Sequence, residues 1–192
     1  METKAHIRKQ VLAVRNRMSD IERQTASAKI AEKVRKLDAF KRAGIVLGFI
    51  GYGSETDTIP FLEMAAENGK KVYCPVSKEN GTMEFYRFRR KEALVEGYKK
   101  IPEPADIEER FDRGILEAEK TGSVFMLMPG VAFDVWRHRI GYGKGFYDRY
   151  LEAFRPECIA AVCFECQIVE EIPAEEFDVL PDLVVTEKRV IG

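Results

Sequence analysis

One short stretch of the chain, RIGYGKGFYDRYL at residues 139–151, contains the residue types best suited to chemistry. Glycines allow a backbone to adopt positive φ and to approach a ligand closely, and successive exposed amides at the start of a helix form a concave anion site. Arg139 and Lys144 would add charge-assisted hydrogen bonds to phosphate oxygens. The glycines occupy alternate positions around Lys144, at Gly141, Gly143 and Gly145.

Asp148 lies one turn into the helix that should begin after these glycines. Its carboxylate would hold a Mg²⁺ that bridges phosphate oxygens. The spacing differs from both common phosphate loops, because Gly145 stands where a P-loop has Ser or Thr, and Phe146 or Asp148 stands where a dinucleotide fingerprint has its last glycine. Two interpretations stay open on spacing alone: a nucleotide site with a metal, and a glycine-rich turn whose Arg139 and Lys144 are solvated.

The elements that must position this stretch alternate between strand and helix. An apolar run at 45–50 predicts a buried strand, and it precedes a helix that Gly69 should end and a second strand at 71–76. This βαβ pattern predicts a parallel pair. The sequence therefore predicts an α/β protein, a three-layer α/β/α sandwich of Rossmann-like type with a largely parallel, mixed central sheet. Further strands are predicted at 82–88, 123–128, 158–164 and 183–186, with a helix at 144–154.

Two helices are predicted before the first strand. Apolar residues recur at helical spacing through residues 3–18, and Ser19 to Glu22 have the spacing of a capping box that opens a second helix ending near Leu37. On periodicity alone, the polar face of the first helix is a solvated basic surface. That face carries Lys4, Arg8, Lys9 and Arg15.

Ligands of parallel α/β sheets bind beyond the carboxyl ends of the strands, where loops converge. Three loops are therefore expected to meet in one site: residues 51–58 after the first strand, residues 75–81 after the second, and residues 129–145 after the strand at 123–128.

Composition limits the classes of function. The 192 residues predict a single domain spanning 1–192, and 31 basic against 32 acidic residues leave a formal charge of −1. No overall field attracts the chain to nucleic acid or a membrane, the start of the chain is charged, and no apolar run has the length of a membrane helix. We expect a cytoplasmic protein and, from its size, a monomer.

Cys163 and Cys166 form a CxxC pair, which raises the question of a zinc or redox site. Zinc requires four ligands, whereas only Cys158 lies nearby in sequence. The apolar run around these residues favours the alternative, in which the cysteines are small core residues of a strand.

The glycine-rich stretch, together with MPGVAFD at residues 128–134, resembles the signature of the 5-formyltetrahydrofolate cyclo-ligase family, also called methenyltetrahydrofolate synthetases. The resemblance extends over nearly the whole chain. It includes residues 4–8, residues 55–58, the segment 97–104 that ends in IPEP, and residues 167–186.

The resemblance implies an enzyme that closes 5-formyltetrahydrofolate to 5,10-methenyltetrahydrofolate, with ATP as co-substrate, Mg²⁺ as cofactor, and ADP and phosphate as further products. The substrate supplies its own nucleophile, so positioning and charge neutralisation should dominate catalysis. This agrees with a sequence that shows no recognisable Ser-His-Asp or Cys-His arrangement.

The resemblance also implies roles for individual residues. Lys144, Arg139 and Tyr147 would be catalytic, and Asp148 and Asp178 would hold the metal. Without the resemblance, Asp178 reads as a cap and Glu55 as a solvated loop acid. Folate would contact Ile50, Glu55, Tyr142, Gly143, Lys144, Gly145 and Phe146. ATP would contact Lys4, Arg8, Arg139, Ile140, Gly141, Tyr142, Gly143, Lys144, Gly145, Phe146 and Tyr147.

The chain departs from the family pattern at a few positions. Phe146 stands where many members have tyrosine, and Trp136 lies in a segment where a turn glycine is common. Two rival functions stay open: a binding module that senses nucleotide or folate, and an ATP-dependent enzyme for another N-formyl or thiamin-like compound. Glu55 and an apolar lining expected near Ile50 and Phe85 favour folate.

Overall fold

The structure, a computed structural model, describes residues 3–79, 81–112, 114–115, 123–173, 175 and 178–192. Its α-helices are α1 (Lys4–Arg15), α2 (Asp20–Lys36), α3 (Asp38–Arg42), α4 (Ile59–Glu67) and α5 (Phe146–Ala153). Its strands are β1 (Ile45–Leu47), β2 (Lys71–Ser77), β3 (Met83–Phe88), β4 (Leu94–Glu96), β5 (Pro102–Pro104), β6 (Val124–Met128), β7 (Ala132–Phe133), β8 (Arg139–Ile140), β9 (Cys158–Val162), β10 (Leu183–Val185) and β11 (Val190–Ile191).

A central sheet of seven strands, counted over the described residues, has the order β11-β10-β9-β6-β1-β2-β3. The pairs from β10 through β2 are parallel, whereas β3 and β11 are antiparallel edge strands. The chain leaves β1 toward β2 on one side and later returns on the other side as β6. The strand order therefore reverses between β1 and β6, which is where ligands bind in such sheets.

Helices cover both faces of the sheet, as the three-layer prediction requires. One hydrophobic core joins α2, α3 and α4 to the sheet through residues such as Ile30, Phe40 and Leu62. The other core lies under α5 and includes Leu151 and Phe111. The predicted mixed, largely parallel α/β architecture is confirmed.

Helix α1 lies apart from these two layers and packs against the short hairpin of β7 and β8. Its apolar residues Ile7 and Val11 form a third cluster with Val131, Ile140 and Ile172. The prediction of a solvated basic face is wrong for the end of this helix, because Arg15 is only 3% exposed. The glycine-rich stretch is therefore attached directly to the first helix of the chain.

Several element boundaries differ from the prediction. The strand expected at 45–50 ends at Leu47, and the strand expected at 158–164 ends at Val162. Helix α3 and the hairpins β4–β5 and β7–β8 have no counterpart in the predicted elements, because they are too short to show periodicity. Gly69 ends α4 with φ of 82°, and Ser19 and Glu22 form the predicted capping box.

The cysteines are core residues, as the apolar pattern around them favoured. Cys74, Cys158 and Cys163 are buried, and Cys166 is partly buried beside the sulfur of Met18. Burial raises the pKa of the Cys163 thiol well above its usual value. Among the described residues, no group of three potential metal-binding side chains occurs. Over the same residues, no helix is both long and apolar enough to cross a membrane.

Candidate active site

A cavity of about 680 Å³ opens at the carboxyl ends of β1, β2 and β6. Phe49 and Ile50 reach it after β1, Pro75 and Ser77 belong to the end of β2, and Pro129 follows β6. The three loops that the sequence predicted to converge therefore do so. The cavity also lies where the strand order reverses.

The glycine-rich stretch forms one wall of this cavity. Gly143 and Gly145 take φ values of 86° and 65°, which lie in the left-handed region that favours glycine. Gly145 is the N-cap of α5, and no side chain caps the first amides of that helix. The wall therefore presents backbone N–H groups and the positive end of a helix, which together favour an anion.

The two charged residues that flank the glycines are bound to each other. Arg139 is 8% exposed, and its Nη2 donates to Oδ1 of Asp148 at 2.7 Å. A Cβ atom at position 141 would lie 3.0 Å from Nη1 of Arg139, so Gly141 leaves the space that this guanidinium needs. Lys144, at the tip of the stretch, is exposed and lines the cavity.

Helix α1 brings Arg8 onto the glycine-rich stretch. The Nε of Arg8 donates to the carbonyl oxygen of Gly141 at 2.8 Å. A Cβ atom at position 143 would lie 3.6 Å from Nη2 of the same side chain. Arg8 therefore lies beside two of the three glycines, although periodicity alone placed it on the surface.

Lys4 joins the start of the chain to its C-terminal segment. Its Nζ donates to Oδ2 of Asp178 at 2.6 Å and lies 3.2 Å from Oε2 of Glu175. Burial lowers the pKa of Lys4, but the contacts with these two acids outweigh that effect and raise the pKa above its ordinary value. All three residues line the cavity.

Glu55 lies in the loop after β1, beside Tyr142 of the glycine-rich stretch. Its Oε1 accepts from the hydroxyl of Tyr142 at 2.7 Å, and its Oε2 accepts from the backbone N–H of Tyr52 at 3.0 Å. Burial raises the pKa of Glu55, while the hydrogen bonds and the charge of Arg15 oppose the rise. Glu55 is thus a held, partly buried acid and not the solvated loop residue that spacing alone suggested.

Every residue that the sequence assigned to the site lines this one cavity. The assigned residues come from four separate parts of the chain, and the structure brings all of them together. They are Lys4, Arg8, Ile50, Glu55, Arg139, Ile140, Gly141, Tyr142, Gly143, Lys144, Gly145, Phe146, Tyr147, Asp148 and Asp178.

The sequence model of the 5-formyltetrahydrofolate cyclo-ligase family matches residues 1–187. The chain belongs to this family. Among its relatives, the 5-formyltetrahydrofolate cyclo-ligase of Escherichia coli K12 is 33% identical over 153 residues, which cover 77% of this chain and 80% of that one. A probable 5-formyltetrahydrofolate cyclo-ligase of Schizosaccharomyces pombe is 30% identical over 179 residues, covering 86% and 85%.

Solved structures agree with this membership. The NMR structure of the 5,10-methenyltetrahydrofolate synthetase of Aquifex aeolicus matches with a TM-score of 0.81 at 30% identity, covering 98% of this chain and 91% of that one. The corresponding protein of Mycoplasma pneumoniae matches with a TM-score of 0.74 at 22% identity, covering 97% and 99%, which supports the fold. As a cyclo-ligase family member, the chain is an enzyme.

Tyr147 and Phe146 differ in their surroundings within this cyclo-ligase. The hydroxyl of Tyr147 is buried and has no hydrogen-bond partner among the described residues, and burial raises the pKa of the phenol. Phe146 lies under the guanidinium of Arg149, with 5.6 Å between Cζ and the ring centroid. A hydrogen-bonding role at 146 is absent in this chain, and a packing role remains.

Sequence reasoning missed part of the cavity wall. The hairpin of β4 and β5 contributes Tyr98, Pro102 and Glu103, and Glu103 is buried with its Oε1 accepting from the N–H of Ser77 at 2.9 Å. The IPEP segment was noticed only through the family resemblance. The expectation that Phe85 lines the site is wrong, because its ring packs on Tyr150 in the core under α5.

Proposed function

We propose that this protein closes 5-formyltetrahydrofolate to 5,10-methenyltetrahydrofolate, with ATP and Mg²⁺, and releases ADP and phosphate. The observation that carries the proposal is a cavity lined both by the glycine-rich anion wall and, next to Tyr142 of that wall, by the held acid Glu55. Such a cavity suits two ligands of different chemistry that must meet.

The chemistry of the substrate explains why ATP is required. The N-formyl carbonyl is a poor electrophile, and its oxygen is a poor leaving group. Transfer of the γ-phosphoryl group to that oxygen removes both obstacles: N10 of the folate attacks the activated carbon, loses its proton, and phosphate leaves with the formyl oxygen. The protein has to position two substrates and stabilise the transferring charge.

The glycine-rich wall is suited to the phosphate end of ATP. The first residues of α5, whose amides receive no side-chain cap, line the cavity, and the neighbouring Lys144 is exposed and would contact a phosphate there. Arg139 is buried beside them, and it would stabilise charge that develops during transfer, since buried donors act in a low local dielectric. Lys4 and Arg8 add positive charge from α1.

The side with Glu55 is suited to the pterin. Its carboxylate would accept hydrogen bonds from the ring N–H and amino groups, while the buried side chains of Phe49 and Ile50 supply apolar contact. Tyr147 also lines this cavity, and its buried hydroxyl, which has no partner among the described residues, would have to turn toward the ligand to donate to the formyl oxygen or to the phosphate that it receives.

The donor set fits a magnesium ion that arrives with the nucleotide. Mg²⁺ in phosphoryl-transfer sites is held by one or two carboxylates, with phosphates and waters completing the shell. Asp148 and Asp178 are two such carboxylates on the cavity wall, and each already contacts a cation, Arg139 and Lys4 respectively. When bound, the ion would neutralise charge on the phosphate oxygens.

We further propose that the protein is a cytoplasmic monomer with one domain. The balanced charge and the chain length support this.

The test mixes purified protein with 5-formyltetrahydrofolate, ATP and Mg²⁺, and follows the near-ultraviolet absorbance of the methenyl product. We expect product only when all three are present, and we expect Lys144→Ala to lower kcat severely while the circular dichroism spectrum stays unchanged. Folded wild-type protein that forms no product would refute the proposed function. Wild-type rates in Lys144→Ala would refute the assignment of the site.

A further inference from the structure

Arg15 is the most buried charged residue of α1, and the reaction outlined above gives it no role. It is 3% exposed and does not line the cavity itself. Its guanidinium lies behind the cavity wall, in a narrow space that Phe49, Glu55 and Gln167 also border. A buried cation requires hydrogen-bond and charge partners, because desolvation is costly.

The partners of Arg15 lead directly to the wall. Its Nη2 donates to the hydroxyl of Tyr142 at 2.8 Å, and that hydroxyl donates to Oε1 of Glu55 at 2.7 Å. The guanidinium carbon also lies 5.9 Å from the centroid of the Tyr142 ring. The three side chains therefore form a relay from α1 through the glycine-rich stretch to the loop after β1.

The direction of the hydrogen bonds in this relay follows from which of the three side chains can donate. A guanidinium only donates, so the oxygen of Tyr142 accepts from Arg15 and its single proton must point to Glu55. That arrangement suits an ionised Glu55, whose oxygen accepts, and it opposes the desolvation that burial imposes on the acid. Glu55 still has lone pairs on both oxygens for a ligand in the cavity.

We infer that Arg15 is a positioning residue for folate recognition, acting through the hydroxyl of Tyr142 to hold the Glu55 carboxylate in the orientation that receives the pterin. This inference rests on the proposed function. The relay also explains why a tyrosine between two glycines is useful in this chain: it links α1 to the recognition acid across the wall.

A structural anchor is the alternative, and the contacts of Arg15 allow the two to be separated. Its Nε donates to Oγ of Ser54 at 2.9 Å, which ties α1 to the loop after β1 without involving Tyr142. If Arg15 only anchors α1, Ser54→Ala should impair the protein and Tyr142→Phe should not. If Arg15 positions Glu55, Tyr142→Phe should impair substrate binding and Ser54→Ala should not.

The test is a double-mutant cycle on the intact protein, with steady-state kinetics in both substrates. We expect Arg15→Gln and Tyr142→Phe each to raise KM for 5-formyltetrahydrofolate about tenfold, as expected for a hydrogen bond involving charge, with kcat within about twofold of wild type. The double variant should be no worse than either single one, because both break the same relay. Arg17→Gln, an exposed arginine just beyond α1, and Ser54→Ala are the matched controls and should keep wild-type KM.

An unchanged KM in Arg15→Gln, or effects that multiply in the double variant, would overturn the inference. If the Arg15→Gln protein does not fold, Arg15→Lys takes its place in the cycle, since it keeps the charge and loses the planar fork. Wild-type protein that makes no methenyl product would refute the proposed function before any variant is compared. An active wild type whose relay variants keep its KM would refute this inference alone.

Discussion

The Nη2 atom of Arg139 lies 2.7 Å from Oδ1 of Asp148, so the cation before the glycine-rich stretch is bound to the carboxylate after it. This contact closes the stretch at its base and holds a buried guanidinium beside the amides of α5. It also means that a metal at Asp148 would share the carboxylate with Arg139. The structure thus couples the residue proposed for charge stabilisation to the residue proposed for the metal.

Asp148→Asn should lower kcat/KM for ATP by about a hundredfold and raise the Mg²⁺ concentration needed for half-maximal rate, because a neutral amide is a weaker ligand. The free energy of unfolding should fall by about 1 kcal/mol, because Arg139 loses its anionic partner. The loss is small because Asp148 is partly exposed and solvent screens the ion pair. Rates at varied Mg²⁺ and urea unfolding measure the two effects. Glu152→Gln, an exposed acid of the same helix, is the control. A wild-type Mg²⁺ dependence in Asp148→Asn would contradict the metal assignment.

Gly143→Ala should cost about 1 to 2 kcal/mol of stability, because alanine is strained at a φ of 86°. It should also raise KM for ATP about tenfold, because the new methyl group takes up space beside the Gly143 backbone that we propose the ATP phosphates occupy. Gly69→Ala is the matched control: Gly69 has a φ of 82°, and no atom of the described residues, its chain neighbours aside, lies within 4 Å of the Cβ that alanine would add. Equal effects of both variants on KM for ATP would argue against a phosphate role for Gly143.

Lys4→Met should raise KM for ATP several-fold and leave KM for 5-formyltetrahydrofolate unchanged. The reason is that Lys4 places positive charge on the cavity wall and holds Asp178 at 2.6 Å. Lys9→Met, which changes an exposed lysine of the same helix, should behave as wild type. If initial-rate measurements give the same KM for ATP in the two variants, Lys4 does not contribute to ATP binding.

KM for 5-formyltetrahydrofolate should rise as the pH falls through the pKa of Glu55. Burial raises this pKa above the ordinary value of about 4.3, so the acid limb should begin above the usual range of a glutamate. Protonation removes the acceptor that the pterin needs, and the groups facing Glu55 are Arg15, Tyr142 and Tyr147. In Glu55→Gln, KM for 5-formyltetrahydrofolate should be high at every pH and should not rise further as the pH falls. A limb of the same midpoint in that variant would assign it to another group.

The layers of the fold and the location of the site follow from local sequence pattern. Short apolar runs predict the buried parallel strands, the capping box of Ser19 and Glu22 predicts the start of α2, and Gly69 predicts the end of α4, because these signals are local in sequence. The positions of the loops after β1, β2 and β6 then follow from the rule for parallel sheets. The specific family assignment came from the glycine-rich stretch and its neighbours.

The docking of α1 did not follow from pattern. Arg15 was assigned to the solvated face because it is charged, yet it follows Val11 by one helical turn and is buried, because α1 lies against loops that are distant in sequence, at Ser54 and Tyr142. Periodicity reports which face of a helix is apolar and is silent on buried polar contacts. Local pattern likewise did not predict the positive φ of 73° at Arg137.

The most direct test of the central claim uses substrate whose formyl oxygen is ¹⁸O. If that oxygen accepts the γ-phosphoryl group and leaves as phosphate, the inorganic phosphate released with each methenyl product will carry one ¹⁸O atom, as mass spectrometry would show. Phosphate without the label, formed at the same rate as the methenyl product, would contradict the account.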